Sequence, residues 1–419
     1  MEQQRIAIVG GGPAGLSLAR LLSDATDAYI TVFEAGVRPG GKSFSFIQGD
    51  AVVEMGTCYT TRAHRIVLDW MKETGIHLKP LREQSFDGED FLDYVKRGEG
   101  PALPIQILRF LGGRQRLMSK LKKDPVPEAA RQEAAQTTAD WLRARGLHKI
   151  ERFMYRSMTN LGYGFVDETP IVQAMRWNDF DLILTGLLKQ LKMPVEGWTA
   201  FWERVAAPLD VRTATPIARI ERGSGKIRLT SAAGESFEAD QLVCAMAIDD
   251  FTKLLDEPLP EETFAAGALS WNGYTTTLVA TSEKFTDVNV AAWSRALTPG
   301  AQTGQMMSAR YDGYESELGG HLYLTGQLSG EYSDSELEEL LREEISREGG
   351  EITNIVLQRT WKYFARYHQD AVRDGLLTRL EEMQGKHATW YTGSAFSHEA
   401  VSNIVNFNAG LARKMQAAL

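Results

Sequence analysis

The chain has 419 residues, 43% hydrophobic and 24% charged, with a formal net charge of −9. That balance fits a folded enzyme large enough for two cores and excludes disordered and fibrous classes. It argues against a nucleic-acid partner, because phosphate binding needs clustered Lys and Arg, and the basic run Arg114 to Lys123 reads as a solvated helix face.

Cys58 and Cys244 offer neither metal-ligand spacing nor a disulfide framework, so no metal site is expected and a reducing cytoplasm fits. Met1 to Arg5 lead straight into the first strand, so no cleaved leader is expected. No apolar run approaches the roughly 18 residues that read as a membrane span.

Ile6 to Val9 form an apolar run too short for a helix and suited to a buried parallel strand. Gly10 permits a tight strand-to-helix turn, Gly12 lets backbone approach a pyrophosphate, and Gly15 lets the next helix pack closely on the sheet. Leu16, Leu18, Ala19, Leu21 and Leu22 give that helix an apolar face, and Tyr29 to Phe33 form a second strand ending at Glu34. Glu34 follows the third glycine at close to the roughly 20-residue offset of a ribose-binding acid, which disfavours a 2′-phosphate. Strand, glycine loop, helix, strand and acid in register specify a dinucleotide site.

Further along, Phe44 to Val53 alternates as strands and His64 to Thr74 as an amphipathic helix. Residues 127–191 turn helical, with Thr137 and Asp140 as a cap, and residues 211–248 return to strands. Thr275 to Ala280 and His321 to Leu328 read as strands, and Ser335 with Glu338 as a capping box opening a helix through Ile345.

Two segments carry the choice of cofactor: Arg38-Pro-Gly-Gly-Lys-Ser43 and Trp390-Tyr-Thr-Gly-Ser-Ala-Phe-Ser-His-Glu-Ala-Val401. They resemble the flavin amine oxidase superfamily and bracket nearly the whole chain. Glu54-Met-Gly56, Leu161 to Phe165, Trp361 to Phe364 and Glu382 to Gly385 are similar to the polyenoic fatty acid isomerase group within it. The resemblance implies an α/β fold: a discontinuous Rossmann-like FAD-binding domain of residues 1–79, 205–262 and 352–419, with an inserted α+β substrate domain of 80–204 and 263–351.

It also implies noncovalent FAD, since neither cysteine lies where some relatives attach flavin. FAD contacts are expected at Gly10, Gly12, Pro13, Ala14, Gly15, Glu34 and Ala35, at Gly41 and Lys42, at Met55, Gly56 and Thr57, and at Val211. The C-terminal segment adds Gly393, Ser394, Ala400 and Val401, with Ser394 standing where the family often has an acid. Helix amides at Val401 and Ser402 would face the flavin pyrimidine, or simply open a docking helix.

Candidate catalytic residues are Tyr163, Trp361, Tyr363 and His398. Trp361, Tyr363, Phe364 and Tyr367 read as an aromatic wall over the flavin or as core; Tyr163 and Phe165 as a substrate channel or a helix-breaking turn. His398 reads as an active-site or a capping histidine. His64, His368 and His387 suggest no partner. Thr275 to Val279 occupies the strand where lysine-dependent amine oxidases carry their lysine, and Lys284 reads as a surface residue. There is no second glycine fingerprint, so electrons are expected from the substrate.

The resemblance implies a FAD-dependent oxidoreductase or isomerase taking hydride from a C–H bond of a hydrophobic small molecule, with unsaturated fatty acids as one such class. A carboxylate clamp is expected at Arg82, and apolar cavity walls at Leu182 to Leu191 and Trp198 to Trp202. The alternatives are an amine or amino-acid oxidase using dioxygen, and a catalytically silent flavoprotein. Oligomeric state stays open.

Overall fold

The computed structural model describes residues 3–81, 83–223 and 225–419. Its first layer is a five-stranded parallel sheet in the order Thr389–Tyr391, Gln241–Cys244, Arg5–Val9, Tyr29–Phe33, Asp210–Arg212. Ile8 is paired with Val32 on one side and Val243 on the other. The three central strands are largely apolar and buried over Ile6–Val9, Ile30–Phe33 and Leu242–Cys244, because both faces are covered there. On one face Ile6, Ile8, Val32 and Val243 meet Leu18 and Leu22 of helix Pro13–Ser23 and Leu411 and Met415 of helix Val401–Ala418. On the other, Ala7, Val9 and Phe33 meet Leu229 and Ala239 of a three-stranded antiparallel sheet.

A seven-stranded sheet forms the second region, in the order Ile352–Tyr367, Leu269–Thr281, Gly320–Leu328, Ser308–Glu315, Val290–Ala292, Gln84–Phe86, Glu89–Asp90. Strand Ile352–Tyr367, grouped by sequence with the nucleotide-binding segments, pairs with Leu269–Thr281 along its whole length instead. The fold is therefore the expected Rossmann-like domain with an inserted substrate domain.

Helices fill the chain between Phe91 and Leu187, and the first of them, Phe91–Lys96, lies against the second sheet's edge strands Gln84–Phe86 and Glu89–Asp90. Their shared core includes Phe110, Trp141, Leu142, Met154 and Val172, all fully buried, each contributing roughly 1.5–3 kcal/mol by leaving water. Side-chain caps fix several starts: Thr137 Oγ1 accepts from Asp140 N at 3.1 Å, and an Asp179 oxygen from Leu182 N at 2.8 Å. In the helix expected to open at Ser335, the cap is Ser333 with Glu336, and the helix runs Asp334–Arg347. Two capping motifs overlap there; the observed one turns Leu337, Leu341 and Ile345 inward.

Helix Gly197–Ala206, expected in a cavity wall, packs Trp198, Phe201 and Trp202 against Leu16, Val67 and Val405. Its aromatic residues stabilise the nucleotide-binding half. Among the described residues no helix is long and apolar enough to cross a membrane, and no group of His, Cys, Asp or Glu could hold a metal ion.

Candidate active site

The glycine loop is closed by backbone. Gly10 adopts φ +114°, and a Cβ on Gly15 would lie 1.9 Å from the Gly10 carbonyl oxygen, so only glycine fits there. Gly12 and Gly41 face each other closely enough that a Cβ on Gly41 would lie 3.0 Å from Gly12 Cα, and Gly40 N donates to Gly11 O at 2.8 Å. Helix Pro13–Ser23 starts with Gly12 as N-cap, Pro13 in the first turn, and no side-chain cap. Its start is thus available to an anion.

Glu34 is aimed by the loop it faces. Its carboxylate accepts from Gly11 N at 2.7 Å and Gly36 N at 2.6 Å, while its own N donates to Arg212 O. Ala35 beside it is exposed, and Val211 pairs with Val32.

The second glycine pair leads into Lys42, whose Nζ donates to Glu399 at 2.7 Å. Glu399 also accepts from Phe364 N at 3.0 Å, holding that residue at φ +51° inside its strand. One carboxylate therefore ties the glycine loop, the long strand of the second sheet and the start of helix Val401–Ala418. Gly56 completes the junction: its Cβ would lie 1.8 Å from Lys42 O. Thr57 Oγ1 meets Ser43 Oγ at 2.8 Å, and Met55 is buried beneath. Gly393 (φ +101°) lies near Ala14, with Ser394 half-buried beside it. The C-terminal helix starts at Val401 after Ala400 with no side-chain cap, and Ser402 Oγ is buried without a partner. A glycine cradle, two uncapped helix starts and an orphaned hydroxyl suit a dinucleotide.

From Gly56, Thr57, Glu399, Ala400 and Val401 a cavity with about 170 Å³ of water-accessible space extends between the second sheet and the helices. Its walls include Tyr59, Phe91, Phe153, Tyr163, Trp177, Leu182, Leu191, Tyr274 and Tyr363. Tyr163 stacks on Tyr363 with ring centroids 5.8 Å apart, and burial raises both hydroxyls well above their ordinary pKa. Gly162 (φ +79°) makes this possible, since a Cβ there would meet the Tyr274 ring at 2.7 Å.

His398 lies behind Tyr163, stacked on Trp177 at 5.8 Å. Its Nδ1 accepts from Ala400 N at 3.3 Å, so the neutral ring carries its proton on a buried, unpartnered Nε2. Burial, then Arg176, lowers its pKa to about 3. Trp361 does not join the aromatic cluster at the cavity; it packs on Phe44 and donates to Thr276 Oγ1 at 3.0 Å. Phe165 and Tyr367 are core, with Tyr367 donating to Ala395 O at 2.7 Å.

Strand Leu269–Thr281 presents Tyr274 and Thr276 to the cavity, and Lys284 is exposed over the Tyr311 ring. Arg82 lies outside the described residues. The structure also brings to the cavity residues to which the sequence patterns gave no role, and it gives His64 a partner that they did not suggest. His64 accepts from Thr61 N at 3.0 Å and is lowered to about 4 by burial. Arg310 contacts Cys58 Sγ at 3.0 Å, and Arg156 projects from helix His148–Ser157. None has a local motif; chain topology alone assembles them.

Sheet, cradle and cavity together define a dinucleotide-dependent enzyme with a separate substrate domain. A family model described as flavin containing amine oxidoreductase matches residues 13–391. The chain belongs to that family and is a FAD-dependent oxidoreductase. A fatty acid isomerase from P. acnes, described as CLA-producing, superposes with TM-score 0.86 at 21% identity, covering 99% of each chain. Wild-type putrescine oxidase bound to putrescine gives 0.73 at 15% identity, over 99% of each chain. Cyclohexylamine oxidase from Brevibacterium oxydans gives 0.69 at 15%, over 99% of this chain and 98% of that one. In sequence, a 94-residue segment is 30% identical to L-amino-acid oxidase of Sistrurus catenatus edwardsii, covering 22% of this chain and 18% of that protein. The match thus spans under a fifth of that relative's length.

Proposed function

We propose that this chain takes hydride from an aliphatic or allylic C–H bond of a hydrophobic small molecule and returns it at another carbon, shifting a double bond. Bound FAD supplies the hydride acceptor. Noncovalent FAD would be held by the Gly10–Gly15 loop and the carboxylate of Glu34, by Gly41, Lys42, Met55, Gly56 and Thr57, and at the far end by Gly393, Ser394, Ala400 and Val401, with Val211 beside the adenine-side strand. The chain's own part is to orient the substrate on Tyr163 and Tyr363 and to exclude water. One hydride leaves carbon and one returns, so no external electron acceptor is consumed.

The observation that carries this reading is the cavity wall. It is largely apolar and aromatic, and the strand matched by sequence to the lysine-bearing strand of lysine-dependent amine oxidases offers Tyr274 and Thr276. The test is anaerobic mixing of FAD-loaded protein with a diunsaturated fatty acid, following flavin bleaching and conjugated-diene absorbance together. Diene growth without lasting bleaching is the expected result; no change in either signal sinks the proposal.

A second reading, amine or amino-acid oxidation with dioxygen as acceptor, draws on the segment shared with L-amino-acid oxidases. Hydrogen peroxide formed with apolar amino acids or amines, and no diene, would favour it.

A further inference from the structure

Among the described residues two arginines have a buried nitrogen with no hydrogen-bond partner, Arg131 and Arg156. Only Arg156 lines the cavity. It lies in the last turn of helix His148–Ser157 with its guanidinium 5.2 Å from the Phe91 ring centroid. The acid whose charge it feels, Asp90, is already engaged: it caps Leu92 N at 2.9 Å and pairs with Lys189 at 2.5 Å. The other arginine of the wall among the described residues, Arg310, is engaged by Asp312 at 2.8 Å, Cys58 Sγ at 3.0 Å and the Glu54 carbonyl at 3.0 Å. Burial lowers Arg156 to about 10, against the opposing influence of Tyr59, Cys58 and Asp90, so it remains a cation at neutral pH. A guanidinium nitrogen buried without a partner is costly, and the cost is relieved when an anion enters.

We infer that Arg156 is the anion-reading residue of this cavity and that its ligand is an organic carboxylate with an apolar body. The planar guanidinium takes the carboxylate, and Phe153, Leu182 and Leu191 flank the body. The inference rests on the reading of this cavity as the substrate site and narrows the substrate class. A long-chain fatty acid and a short aryl carboxylate share this chemistry.

The test is isothermal calorimetry on the FAD-loaded protein with four unreactive probes: decanoate, methyl decanoate, 3-phenylpropanoate and its methyl ester. None carries a double bond to shift or an amine to oxidise, so the result stands even if the isomerase reading fails. Decanoate is expected to bind about 30-fold more tightly than its ester, equivalent to one charge-assisted hydrogen bond of about 2 kcal/mol. R156Q should abolish that preference and R156K restore part of it, with FAD content and Tm unchanged. A preference confined to the phenylpropanoate pair supports Arg156 as the anion site and assigns it to short carboxylates. Equal affinity for acids and esters, no binding of any probe, or an acid preference that survives in R156Q overturns the inference.

Discussion

Around Gly10 to Gly15 the site is shaped by backbone, whereas around Tyr163 it is shaped by side chains gathered from segments two hundred residues apart. The first kind tolerates almost no added atom, because neither a carbonyl nor a Cα can rotate away. The second kind can redistribute small changes among rotamers. Gly15→Ala puts a Cβ 1.9 Å from a carbonyl oxygen and should cost about 4 kcal/mol or more, enough to prevent accumulation of folded, FAD-loaded protein. The flavin-to-protein ratio after purification checks it. Normal FAD content in this variant would mean that the loop is softer than its geometry implies.

The junction between the regions gives the next largest effect. Glu399 is almost fully buried while holding Lys42 and Phe364 N together. Glu399→Ala leaves a buried amide unpaired, frees a half-buried ammonium and releases a residue held at positive φ. A loss of about 3 kcal/mol is expected by urea unfolding. A loss near zero would show that the two regions dock without this link.

The same contrast explains what could be read from the residues alone. Glu34 was legible because a strand, a turn and a helix fix its distance from the glycines, so local spacing becomes spatial position. The three central strands of the parallel sheet were legible from their apolar runs, whereas the short edge strands Asp210–Arg212 and Thr389–Tyr391 have none. The Lys42–Glu399 bond joins residues 357 apart in sequence, and no spacing rule reaches that far. Arg156 lies on a helix whose pattern reads as ordinary core and surface, and its significance comes from Asp90 being taken by Lys189. Trp198 and Trp202 suggested a cavity because aromatic density marks burial without saying against what; they are buried against Leu16 and Val67. Residues 352–367 shared sequence proximity with the C-terminal flavin segment, yet their hydrogen bonds are to Leu269–Thr281.

Buried histidines extend the comparison to pH. His398 has a folded-state pKa of about 3, below the unfolded value of about 6.5, so as pH falls the unfolded chain binds the proton first and stability is lost between those values. His64, at about 4, has the same sign, whereas Glu54, raised to about 8 chiefly by burial, loses its contribution as pH rises from its ordinary value toward 8. A single variant isolates the histidine. The stability gap between the unaltered protein and H398Q should be about 2 kcal/mol smaller at pH 5 than at pH 7. Urea midpoints at the two pH values measure it, and a pH-independent gap would place a charged imidazolium in the fold.

Trp361 provides the smallest effect and the sharpest separation of wall from core. Its indole faces Phe44 and donates to Thr276 Oγ1 at 3.0 Å, while the neighbouring Tyr363 reaches the cavity. Trp361→Phe removes one hydrogen bond and part of a buried ring but leaves Thr276 facing the cavity, where water can satisfy its hydroxyl. A stability loss of about 1 kcal/mol with kcat/KM unchanged is therefore expected once a substrate is in hand. Tyr363→Leu, by contrast, should raise KM at nearly unchanged stability, because it removes an aromatic surface the substrate would rest on. If Trp361→Phe instead lowers kcat/KM more than about 10-fold, equivalent to about 1.4 kcal/mol of transition-state stabilisation, the aromatic surface extends behind Tyr363. The boundary between packing and chemistry would then lie two strand residues further along than the side-chain contacts indicate.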